Sequence, residues 1–325
     1  MKLQWKKSWR GLTSVGLAGG LLVACGGGTQ IESFQPQRIV SFGDEASLFN
    51  ANGTKYTVSG VVFDTAVTPN VPKVPTEINC ETNLVWNQQL AYNFGLGFEN
   101  LCVLAGRTNN GKLLAELDAT VADVNAQVTS FLAGDAFGPK DLVTLMVGVN
   151  DIKDAIENAA NPVAAVEAAG TAAGVEVVRI TDRGAKVIVS TVPDVGLTPW
   201  AAARELTNPG TIALATDLTH RYNTRLRLKL QDVRDGGHAV GLVLGDELVL
   251  SMARFPASYG IANTAQKYCG VALPACNQTT PDIPAGVASA SYGGEYLWAD
   301  NYRLGSNAQG RLGSSAVSRA RTNPF

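Results

Sequence analysis

Histidine is nearly absent from this chain: 325 residues hold two, His220 and His238. The five cysteines contain no C-x-x-C spacing. Together these scarcities leave too few ligands for a zinc framework, and no metal or cofactor is expected. Charge imbalance is missing as well. The formal net charge is -2, which gives no electrostatic footprint for a nucleic-acid partner. No internal repeat or shift of composition marks a second domain. The apolar stretch at 11–24 is too short to be a permanent membrane span. What is present is a 46% apolar chain, ample for one large core.

The first residues read as a separate object. Lys2, Lys6, Lys7 and Arg10 precede the short apolar segment, which ends in Leu22-Val23-Ala24-Cys25. That ending resembles the lipobox of bacterial lipoproteins. The resemblance implies a signal peptide over 1–24, cleavage before Cys25, and a diacylglycerol on its thiol that binds a membrane. Residues 25–37 then form a tether, glycine-rich at its start. Gly26 rather than aspartate after the cysteine points to the outer membrane, facing the periplasm or the surface, if the organism has one. Export means an oxidising compartment. Of the three pairings open to the remaining four cysteines, sequence order favours Cys80–Cys102 and Cys269–Cys276.

From residue 38 the chain alternates. Apolar runs at 38–42, 101–105, 141–147, 186–192 and 240–244 read as strands buried on both faces. Helical spacing is found at 84–94, 113–132, 162–183, 216–233, 246–255 and 306–321. A further helix should begin directly after the turn at Gly43-Asp44. Residues 50–82, with several prolines, read as an irregular insertion with room for a short hairpin. The expected fold is one α/β domain over 38–325. It would be a three-layer α/β/α sandwich around a central five-stranded parallel sheet, flavodoxin-like. In such folds chemistry sits at the carboxyl ends of strands.

Those ends carry a series of short motifs. Phe42-Gly43-Asp44 resembles the first block of the GDSL (SGNH) hydrolases, F-G-D-S. Gly106 falls where the family's second-block glycine would. Gly148-Val149-Asn150-Asp151 matches the third block, G-x-N-D. Thr191-Val-Pro-Asp-Val-Gly-Leu-Thr-Pro199 and Phe255-Pro-Ala-Ser-Tyr-Gly260, followed by Cys269, are similar to segments of the lecithinase-like branch. The last block, D-x-x-H, aligns with Asp300-Asn-Tyr-Arg303. The resemblance implies an ester hydrolase in which a serine attacks and a histidine, oriented by an aspartate, takes its proton. It also implies an oxyanion hole built by Gly106 and Asn150.

Two positions depart from that pattern. Glu45 stands at the nucleophile position and Arg303 at the histidine position. Arginine stays protonated and cannot be the base. Ser47 lies about 200° further round a helix and would point elsewhere, and Ser41 lies within the strand. His220 falls mid-helix and His238 at the amino edge of the sheet. A glycosidase-like pairing of Glu45 with Asp44, Asp194 or Asp300 has no spacing to support it. An acid and a base exchanged for facing partners suggest instead a Glu45–Arg303 ion pair, with Asp300 beside Arg303. The expected function is therefore a binding or structural envelope protein with an acyl-ester or other small ligand in the cleft. The alternative is a working esterase or lipase.

Overall fold

The computed structural model describes residues 34–64, 66, 71–72, 77–238, 240–282 and 292–322. Cys25, the leader and most of the tether lie outside them. Six parallel strands form the sheet: β1 (Arg38–Gly43), β2 (Leu96–Phe98), β3 (Thr108–Leu113), β4 (Asp141–Met146), β5 (Lys186–Ser190) and β6 (Val240–Val243), in spatial order β2-β3-β1-β4-β5-β6. From β3 onward this is the flavodoxin-like order, with β2 added at one edge.

Alternation along each strand sends side chains to two cores. Val40, Phe42, Val143 and Leu145 face α2 (Val121–Gly134), α3 (Val149–Asn158), α4 (Pro162–Thr181) and α6 (Thr211–Asp235). Ile39, Leu142, Met146 and Ile188 face α1 (Trp86–Asn93), α7 (Gly245–Arg254) and α8 (Ser306–Thr322). This is the expected three-layer sandwich. Some helix starts carry a side-chain cap. For α4, Asn161 accepts from Ala164 N and Pro162 sits in the first turn. Between β5 and α6 lies α5 (Pro199–Glu205), which Thr198 caps by accepting from Ala201 N.

Several sequence expectations are corrected. The sheet has six strands, not five. Residues 101–105 are not a strand; Cys102 and Leu104 are buried in a loop, and that loop burial explains the apolar run. The second strand's place is taken by β3, with β2 beyond it. The helix expected from residue 113 starts at Val121, since β3 ends at Leu113 and a loop follows. After Gly43-Asp44 comes a single 3₁₀ turn, Glu45–Ser47, not a longer helix. The insertion does contain a short antiparallel pair, Phe63–Asp64 with Val71–Pro72. Both expected disulfides form, Cys80–Cys102 and Cys269–Cys276. Among the described residues no helix is long and apolar enough to cross a membrane.

Candidate active site

The carboxyl ends of β1, β3 and β4 converge where the strand order reverses. Two glycines make the convergence possible. Gly43 has φ 132°, and a Cβ there would lie 2.0 Å from the Met146 carbonyl oxygen. Gly148 has φ 132°, and its Cβ would lie 2.5 Å from the Tyr222 ring. Gln127 of α2 clamps the first turn, accepting from Gly43 N at 3.0 Å and donating to Gly43 O at 3.0 Å. Asp44 N donates to Met146 O. The F-G-D and G-x-N-D motifs are thus two close-packed turns held edge to edge.

Glu45 projects from this junction and is buried, 3% exposed. One carboxylate oxygen, Oε1, receives Arg303 Nε at 3.1 Å and Nη2 at 3.0 Å. The other, Oε2, receives Asn150 Nδ2 at 3.1 Å and the backbone N–H of Asp118 at 3.0 Å. Arg303 comes from the loop before α8, which Asp300 shapes by accepting from Tyr302 N and Arg303 N. Asp300 Oδ2 also holds Arg303 Nη1 at 2.6 Å, and Asp118 Oδ1 lies 3.4 Å from Nη2. Burial works against the Arg303 cation, but Asp300 and Glu45 outweigh it and hold its pKa above the ordinary value. Asp44, next to Glu45, points to Ala46 N instead; burial and the Glu45 charge push its pKa well up.

Aromatic rings line the outer side. Arg303 lies over Tyr302 at 4.4 Å and Tyr56 at 5.6 Å, and Lys153 of α3 lies 3.4 Å from the Tyr302 centroid. Burial lowers the Lys153 pKa. The space left between Glu45, Arg303, Trp298, Val195 and Met146 is about 30 Å³, room for a water rather than an acyl group.

The structure therefore brings together Glu45, Asn150, Asp300 and Arg303. It does not bring Gly106, which lies exposed before the amino end of β3. The N–H that reaches Glu45 belongs to Asp118, with φ 56°, a left-handed backbone that aspartate adopts more readily than most residues. Sequence reasoning missed Asp118 because no glycine marks that turn. Ser47 is fully buried and accepts from Trp86 Nε1 below the site. Ser41 pairs with Asn87 and Thr144 inside the sheet. Asp194 caps a turn at Gly196 and accepts from Thr216. His220 is exposed on α6, and His238 sits by Asp182 beyond that helix. Among the described residues no group of three or more His, Cys, Asp or Glu could hold a metal ion.

Strand order and site together define an α/β protein with its polar cluster at the topological switch point. A profile of the GDSL-like lipase/acylhydrolase family matches residues 39–282, and the chain belongs to that family. The match ends before Asp300 and Arg303. A curated relative, phosphatidylcholine-sterol acyltransferase of Aeromonas hydrophila, is 25% identical over 193 residues, which are 55% of this chain and 44% of that protein. The chain thus spans less than half the length of that relative. Solved structures of similar fold include an acetylxylan esterase of Geobacillus stearothermophilus (11% identity, TM-score 0.44, covering 90% of this chain and 98% of the other). Another is an extracellular lipase of Streptomyces rimosus (17%, TM-score 0.40, 88% and 99%).

Proposed function

We propose that this chain is a non-hydrolytic member of the GDSL family, a binding or structural protein of the bacterial envelope held to a membrane through lipid on Cys25. One observation carries the loss of hydrolysis. Glu45 Oε2 sits on the two donors, Asp118 N–H and Asn150 Nδ2, that an ester's oxyanion would need. The carboxylate of the chain itself thus stands where a developing negative charge would be stabilised. A guanidinium occupies the position of the proton acceptor and cannot take a proton. A ligand entering the cleft would have to displace Arg303 or Glu45, because the space remaining admits little more than water.

The test is hydrolysis of p-nitrophenyl acetate and butyrate by the chain from Gly26 onward. No turnover above the Glu45→Ala variant is expected. Turnover abolished by Glu45→Ala or Ser47→Ala would overturn the reading in favour of a working esterase. In the double variant Glu45→Ser, Arg303→His the two donors become free for substrate, and a gain of ester hydrolysis is expected. Anchoring is checked separately by mass spectrometry of Cys25. A Cys25→Ser variant should leave the membrane fraction, and an unmodified, membrane-free wild type would refute the anchor.

A further inference from the structure

A second concavity lies on the other helical layer, between α1 and the start of α8. The loop at 81–84 closes one side. Its volume is about 530 Å³, within the range of roughly 300–1,000 Å³ usual for small-molecule sites. Glu81, Asn83, Gln89, Tyr92, Asn93 and Ser306 line it. We propose that this groove binds a neutral saccharide, a site independent of the state of the Glu45–Arg303 cluster.

Its chemistry selects that class. Of the three lining amides, Asn83 Nδ2 already donates to Val58 O and Asn93 Nδ2 to Gln89 O, so each keeps its carbonyl and one N–H, while Gln89 keeps both donors and its acceptor, the mixed pattern that sugar hydroxyls need. The Gln89 amide makes no hydrogen bond among the described residues, so its capacity is open. Tyr92 lines the groove with an aromatic ring, one face of which the Arg107 guanidinium covers, so a pyranose would meet its edge or its other face. The Arg107 guanidinium stacks 3.9 Å from the Tyr92 centroid and fixes that ring's attitude beside the groove. Glu81, which accepts from Ala105 N, and the Arg107 guanidinium against Tyr92 give the groove one charge of each sign, so it favours a ligand without net charge. Leu84 is the lone aliphatic lining side chain, too little for an acyl chain.

Gly310 gives a second, separate observation. It lies inside α8, where glycine costs about 1 kcal/mol relative to alanine. A Cβ there would meet nothing within 4 Å, so packing does not demand glycine. Gly313, one turn on, differs: its Cβ would lie 2.6 Å from the Gln89 stem. Gly310 lines the groove without projecting a side chain into it.

The test is isothermal titration calorimetry of the full chain, in a sugar-free detergent, with maltotriose, cellotriose and N-acetylated chitotriose, all uncharged. At least one should bind. Gly310→Leu, whose Cβ meets nothing within 4 Å and which puts a side chain into the groove, should weaken that binding at least about tenfold while leaving the melting temperature equal or higher. Gln89→Ala should weaken it as well. No heat of binding from any of the three sugars at about 10 mM, or unchanged affinity in Gly310→Leu, would overturn the proposal.

Discussion

The Glu45–Arg303 pair can be weighed by a double-mutant cycle with Glu45→Ala, Arg303→Ala and the double variant. Two opposite charges about 4 Å apart at an effective dielectric near 20 attract by about 4 kcal/mol. Glu45 is 3% exposed and the Arg303 side chain 13%, so solvent screening removes only part of this. A coupling of about 2–3 kcal/mol is expected. The single variants should each cost about 3–5 kcal/mol. Arg303→Ala should be the worse of the two. It deprives both Glu45 and Asp300, whereas Glu45→Ala leaves Arg303 its contact with Asp300. The assay is urea unfolding with both disulfides oxidised, followed by near- and far-ultraviolet circular dichroism over the range where the two probes coincide. A coupling below about 0.5 kcal/mol, the scale of an exposed pair, would refute the reasoning.

Other outcomes follow from the same geometry. Glu45→Ala should expose Asp118 N–H, Asn150 Nδ2 and Arg303 to a small carboxylate. Acetate at ten times its dissociation constant should then stabilise the variant by about 1.4 kcal/mol and leave the wild type unmoved in thermal melts. Burial raises Asp151 to about 6, from a usual 3.8, although Val121 N donates to it. The stability it contributes is complete below pH 3.8 and lost as pH rises through 6. Asp151→Asn should therefore match the wild type near pH 4 and exceed it by about 2–3 kcal/mol above pH 7, read from denaturation across that range. Gly43→Ala should be severely destabilising, because the added carbon meets the Met146 carbonyl; a melting temperature within a few degrees of wild type would contradict the close approach.

Strands β1, β4, β5 and β6 were legible because each is a continuous apolar run covered on both faces. The edge strands were not. Residues 108–113 read Thr-Asn-Asn-Gly-Lys-Leu, and their strand character comes from pairing with β1 and β2 rather than from side-chain pattern. The run at 101–105 misled because a disulfide-bonded loop can bury Cys102 and Leu104 as deeply as a strand does. At the site, Glu45, Asn150, Asp300 and Arg303 could be read because each acts through its side chain, which the sequence names. Asp118 could not, because it acts through a backbone N–H whose direction depends on a left-handed turn.

Glu45 and Arg303 are 258 residues apart in the chain, the first following the opening strand and the second preceding the closing helix. A contact that closes so long a loop is costly to form before the intervening sheet has ordered. It should therefore be absent from the folding transition state and present only after it. Its removal would then leave the rate of folding nearly unchanged and hasten unfolding, which shifts one arm of a chevron plot and not the other. Under the proposed envelope location, where escape from the native state would expose the chain to proteases without ready rescue, the pair would act as a clasp on the lifetime of the fold.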